Sequence, residues 1–102
     1  MKDSIIRARV NVKSLAAEAK IIRKEMTKVK TYQKEMLYFH KLDKVRPEAR
    51  IAQLALGYLR NKPRSVIEKT SKKVDVERLR RKLIIFTEQP VSLVDLTAWL
   101  NT

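Results

Sequence analysis

The stretch SLAAEAKIIRKEMTKVKTYQKEMLYFHKL, Ser14 to Leu42, decides the fold class. From Leu15 its seam positions recur as Leu15, Ala19, Ile22, Met26, Val29, Gln33, Met36 and His40, in alternating steps of four and three. That alternation is the signature of an amphipathic helix with a heptad seam. No Gly or Pro interrupts it, so the spacing predicts one long helix over residues 14–42. A coiled coil would read the same way. One long helix of a small bundle is the preferred expectation, because the rest of the chain supplies partner helices. The seam weakens at Gln33 and His40, among Tyr32, Met36, Leu37, Tyr38 and Phe39. Met36, Tyr38, His40 and Leu42 also alternate like a strand, which would end the helix near Gln33; the helical reading is kept.

Outward from this stretch, caps and prolines divide the chain. Asp3 or Ser4 is placed to cap a short first helix through Val10, and Asn11 or Ser14 to cap the long one. Arg46-Pro47-Glu48 reads as a restart, with Pro at the first helical position and an acid in the first turn. Ile51, Leu54, Ala55, Tyr58 and Leu59 then share a face, and Gly57 permits close packing beside them. Pro63 opens a short helix to Thr70 with Val66 and Ile67 inward. Asp75 caps another carrying Val76, Leu79, Leu83 and Phe86. After Gln89-Pro90, Ser92 with Asp95 forms a capping box for a last helix through Trp99 and Leu100. The expected fold is all-α: a small helical bundle with one long N-terminal helix and several short ones. It is read as a single domain over 1–102, with a long basic helical region at 1–45, a helical core at 46–89 and an apolar tail at 90–102.

Composition narrows the function classes. With 102 residues and 44% hydrophobic residues the chain builds one core. One Gly and three Pro exclude Gly-rich phosphate loops and turn-dense β-sandwiches. The absence of Cys excludes disulfides and thiolate metal sites and fits a reducing compartment. His40 is the only His, so no standard zinc site is available. His40 with Asp43 one turn on, and Glu18 with Glu25 a heptad apart, are better read as surface partners than as catalytic pairs. No enzyme, no cofactor and no metal are expected. Neither a membrane span nor a secretory signal is legible, so the expected location is cytoplasmic, in a bacterial or viral setting.

The formal net charge is +13, from 24 Lys and Arg against 11 acids. Its distribution is uneven. The first thirty residues hold nine bases and three acids. Residues 60–82 hold ten bases (Arg60, Lys62, Arg64, Lys69, Lys72, Lys73, Arg78, Arg80, Arg81 and Lys82) against Glu68, Asp75 and Glu77. Residues 83–102 hold none, only Glu88 and Asp95. An excess this large destabilises a compact chain by self-repulsion, so a polyanion partner is the expected counterweight. The ten bases of 60–82 are therefore the candidate nucleic-acid contacts, to DNA or RNA and mainly to phosphates.

Within that block, Arg64–Lys69 and Asp75–Leu83 fall in the order of a helix-turn-helix. Arg78, Arg81 and Lys82 would then face base edges, and Ser65, Lys72 and Lys73 phosphates. The turn from Ser71 to Val74 is long for that motif, Glu68 replaces its usual small apolar residue, and no Gly is present. Gripping phosphates without reading bases is the preferred mode, and it suits RNA as well as DNA. Tyr38, Phe39 and His40 beside Arg46 and Arg50 form a second candidate, since aromatics beside cations hold single-stranded bases. Closure of the bundle end is the preferred role for these aromatics.

The tail crowds Leu83, Ile84, Ile85, Phe86, Val91, Leu93, Val94, Leu96, Trp99 and Leu100 onto more than one helical face. Ile84, Ile85, Phe86, Leu96, Trp99 and Leu100 are the candidate contacts to a protein partner or to a second copy, unless Trp99 and Leu100 fold back to seal the bundle. The functional expectation is a small non-enzymatic nucleic-acid-binding protein, an accessory component or regulator of a larger nucleoprotein complex, with no membrane partner. The alternative is a protein-interaction module, such as a small phage-encoded inhibitor or adaptor, docking on an acidic surface.

Overall fold

Thr27, Val29 and Thr31 alternate with lysines through TKVKT, and this β-branched run breaks the expected long helix. Thr27 Oγ1 donates back to the Lys24 carbonyl at 2.7 Å, while Lys28 and Val29 make short i−3 bonds that tighten the last turn. The computed structural model describes residues 2–69 and 72–102. They form five helices and no strand: α1 (Lys2–Met26), α2 (Tyr32–Leu59), α3 (Arg64–Ile67), α4 (Val76–Thr87) and α5 (Leu93–Leu100). The fold is all-α.

Three expected boundaries change. No break occurs between Val10 and Ser14: α1 runs through Asn11 and Ser14 without interruption. The seam read over 14–42 belongs to two helices with different phases. Leu15, Ala19, Ile22 and Met26 of α1 pack against Tyr38, Leu42 and Val45 of α2, whereas Gln33, Met36 and His40 face outward. Pro47 does not restart a helix; it lies inside α2. An interior Pro costs one backbone hydrogen bond and about 3 kcal/mol. Packing on both sides outweighs this, through Leu42 and Val45 before it and Ile51, Leu54 and Ala55 after it. Pro47 and Asp43, whose carbonyl loses its partner, are both exposed to water.

α1 and α2 form an antiparallel hairpin whose far half projects as an arm (residues 12–46), and the other elements gather as a base. The longest dimension is 48 Å and the radius of gyration 15.5 Å, against about 13 Å for an ordinary domain of this length. The base core comprises Ala8 of α1, Ile51, Leu54 and Ala55 of α2, Leu79, Leu83 and Phe86 of α4, then Val91, Leu96 and Leu100. α2 meets α3 closely at Gly57, where a Cβ would run into the end of the Ile67 side chain and oblige it to shift. α2 ends with Asn61 in the left-handed region (φ 56°) and the Lys62 amide bonded to the Gly57 carbonyl at 3.0 Å.

Two of the four expected caps form, whereas Asp3, Ser4, Asn11 and Ser14 lie inside α1. Asp75 accepts from the Arg78 amide at 3.2 Å, and Ser92 from the Asp95 amide at 3.3 Å. The short helix after Pro63 is a single turn, and Val66, expected inward, is exposed. Its expected end at Thr70, and the start of the following turn at Ser71, lie outside the described residues.

Candidate nucleic-acid interface

The basic block at 60–82 is divided by its own ion pairs. Glu68, just past α3, is the hub. Arg50 of α2 donates to it through Nε at 2.6 Å and Nη2 at 3.2 Å, and Arg64 Nη2 reaches it at 3.4 Å. Burial raises the Glu68 pKa, but the hydrogen bonds and charge of Arg50, with Arg64 behind them, outweigh it and hold the carboxyl below the usual glutamate range. The same two arginines donate to the Lys72 carbonyl, Arg50 also to that of Lys73 and Arg64 to that of Leu100. This clasp ties α2, residues 72–73 and the C-terminus together.

A second hub is Glu48, which takes Lys82 Nζ at 3.1 Å and Arg78 Nε at 3.4 Å. Arg80 donates to the Val91 carbonyl at 3.1 Å. Four of the ten expected phosphate contacts, Arg64, Arg78, Arg80 and Lys82, thus have their polar ends engaged within the protein. Arg60, Lys62, Lys69, Lys72, Lys73 and Arg81 are exposed and make no ion pair among the described residues.

Among the described residues the helix-turn-helix geometry is not formed. α3 has four residues, none buried, and eight residues separate it from α4. Of the three expected base readers, Arg78 and Lys82 are held by Glu48 and only Arg81 is free of ion pairs. A one-turn helix cannot brace a second helix against a duplex groove.

The tail reading also changes. Phe86, Leu96 and Leu100 are buried, and Ile84 and Trp99 pack against the same core. Trp99 meets Tyr58 edge-on at 5.5 Å, and its indole N–H donates to the Lys62 carbonyl at 2.7 Å. Of the six residues assigned to a partner, only Ile85 stands largely in water, at 68% exposure. Much of the apolar excess that had no room on one helical face is absorbed because α4 and α5 bury different sides of themselves in one core, while Ile85, Leu93 and Val94 stay exposed.

The arm carries charge differently. Residues 12–46 hold ten Lys and Arg against four acids, and none of these joins an ion pair among the described residues. Helical periodicity sorts the cations of α1. Arg9, Lys13, Lys20, Arg23 and Lys24, all exposed, fall within about 100° of arc, while Glu18 and Glu25 take the other side. Glu25 accepts from the Tyr38 hydroxyl at 3.1 Å, a bond that, with the carboxylate's charge, raises the Tyr38 pKa. Lys41 Nζ sits 5.0 Å from the centroid of the Tyr38 ring. Sequence reasoning counted these N-terminal bases but did not sort them by face; the helical phase of positions 9, 13, 20, 23 and 24 was the available signal.

Where the arm meets the base, Asp43, Arg46, Pro47 and Arg50 of α2 face Lys73, Asp75 and Arg78 across an open cleft. Among the described residues no three His, Asp or Glu side chains are grouped as metal ligands, and no helix is long and apolar enough to cross a membrane. Comparison of the chain with known family models, with characterised proteins and with solved structures finds no match.

Proposed function

We propose that this protein is a non-enzymatic nucleic-acid-binding protein that holds phosphates with side chains on two surfaces and serves as an accessory part of a larger nucleoprotein assembly. One observation carries the reading. Five of the cations that make no ion pair among the described residues, Arg9, Lys13, Lys20, Arg23 and Lys24, lie in one row along α1, with Glu18 and Glu25 on its other side. A row from Arg9 to Lys24 extends about 22 Å along the helix, a length suited to tracking several phosphates. The base contributes Arg60, Lys62, Lys69, Lys72, Lys73 and Arg81. Phosphate contact of this kind fits DNA and RNA alike.

The test is binding to oligonucleotides across a salt gradient. With about six phosphates neutralised, the log–log slope should lie near −4 for single strands and −5 for duplex. Affinity that does not change between low and moderate salt would sink the proposal. Arg81→Ala should weaken binding to all sequences alike; loss of a sequence-specific footprint would instead restore base reading.

A second reading has one observation in its favour. Ile6, Val10 and Ile21 of α1 are each more than half exposed, beside the basic row. A protein-interaction module docking on an acidic, amphipathic helix would use both features. Retention on heparin without retention on bulk RNA would favour it.

A further inference from the structure

Tyr32, Phe39 and Arg46 follow one another at seven-residue steps along α2, so they share one face, each about 10.5 Å from the next along the axis. Tyr32 is 75% exposed and Phe39 42%, with Met36 between them also exposed. The other four aromatic residues all serve the fold. Tyr38 closes the arm onto Glu25, Tyr58 and Trp99 meet edge-on, and Phe86 is buried in the base. Two rings left in water on a helix contribute nothing comparable to stability.

Charge brackets the two rings. Lys28 and Lys30 precede Tyr32 in the exposed turn, and Arg46 follows Phe39 at the mouth of a cleft whose lining also holds Arg50, Lys73 and Arg78 against Asp43 and Asp75, a cationic excess. Glu35 and Asp43 flank the rings themselves and disfavour phosphates there, so the uncharged faces of bases, not the backbone, are what this stretch suits. Flat rings spaced between cations are the elements of a single-strand binding surface. A duplex does not offer them base faces, because those are stacked inside the helix. A second copy of the chain is disfavoured as the occupant, since each copy brings a charge of +13.

We infer that this face of α2 is a track for single-stranded nucleic acid. Unpaired bases stack on Tyr32 and Phe39, and the backbone is held at Arg46 and Lys73. The inference rests on the nucleic-acid reading above and gives it a substrate class: unpaired rather than duplex strands.

The experiment compares a single-stranded oligonucleotide with a duplex of matched phosphate number, at fixed low salt, on the full chain. The single strand should bind more tightly. Tyr32→Ala and Phe39→Ala should each lower its affinity about tenfold, Tyr32→Phe should retain it, and duplex affinity should move less than twofold. Because both rings are exposed, thermal melting of the variants should match the parent, which separates stacking from folding. Unchanged single-strand affinity in the double alanine variant, or equal losses on single strand and duplex, overturns the inference while leaving phosphate binding intact. A dimer detected by sedimentation and lost in that variant, with single-strand affinity unchanged, would assign the face to a second copy and also overturn it. If neither the single strand nor the duplex binds at low salt, the broader reading falls first, and this one with it.

Discussion

The base and the arm are built on the same helical hairpin, yet they treat charge in opposite ways. In the base, Glu48 and Glu68 each collect two cations, and all six ion pairs among the described residues lie there. In the arm, ten cations face four acids without one ion pair among the described residues. The apolar contrast runs in parallel. Ten buried residues from several elements make the base core, while the arm is closed by Ile22, Leu42 and Val45, aided by partly buried Leu15, Ala19, Met26 and Tyr38. The difference teaches that the base stabilises the fold and the arm presents charge, at the lower local stability expected of a segment with few buried contacts.

The largest effect expected from this contrast concerns the C-terminus. Deleting residues 90–102 removes Val91, Leu96 and Leu100 from the core, along with Trp99 and the carbonyls that hold Arg64 and Arg80. Buried aliphatic side chains at about 2 kcal/mol each, plus these contacts, approach the whole stability of a small domain. The truncated chain should lose its cooperative melt by circular dichroism; a folded product would make the tail an appendage. Next come two leucines of equal burial. Leu54→Ala in the base should cost about 4 kcal/mol and Leu42→Ala in the arm about 2 kcal/mol, measured by urea unfolding. Equal losses would mean that arm and base share one core energetically.

Glu68→Gln probes the clasp and should cost about 2 kcal/mol, because it leaves two half-buried guanidinium groups without their carboxylate. Its pH signature has a definite sign. A depressed folded pKa contributes stability that is fully present above the unfolded glutamate value of about 4.3 and is lost as pH falls through the lower folded value. Parent and variant stabilities should therefore converge below that window; a constant gap down to acid unfolding would remove Glu68 as the cause. The smallest effect on stability belongs to the arm. Replacing Lys13, Lys20 and Lys24 together with Gln should leave the melt unchanged or slightly raised, since repulsion is relieved. The salt slope of nucleic-acid binding should become shallower by about 2 to 3. An unchanged slope would move the phosphate contacts to the base.

Much of the base was legible because its signals are local. Asp75 and Ser92 act as caps where their spacing put them, and Leu54, Leu79, Leu83 and Phe86 are buried as the 3.6-residue period required. Three local signals in the hairpin point away from its structure, the first being the cap-forming side chains of Asn11 and Ser14, which lie inside α1. The break at TKVKT was hidden because a seam in steps of four and three stays tolerable across a change of phase, although Gln33 and His40 marked the slip. Pro47 was given its ordinary helix-starting role, which packing on both sides overrides.

The sequence by itself determined the helical class, the capped starts of α4 and α5, and a net charge of +13 with no Lys or Arg beyond residue 82. Those follow from composition, periodicity and near-neighbour hydrogen bonds, which act over one or two turns. Which cations are free and which are spent was decided only by the tertiary structure. Arg64 is 4 residues from Glu68 and its pairing is visible in the chain, but Lys82 lies 34 residues from Glu48, and Arg50 18 from Glu68. An ion pair across such separations depends on how helices cross, and the crossing depends on cores that no short segment encodes.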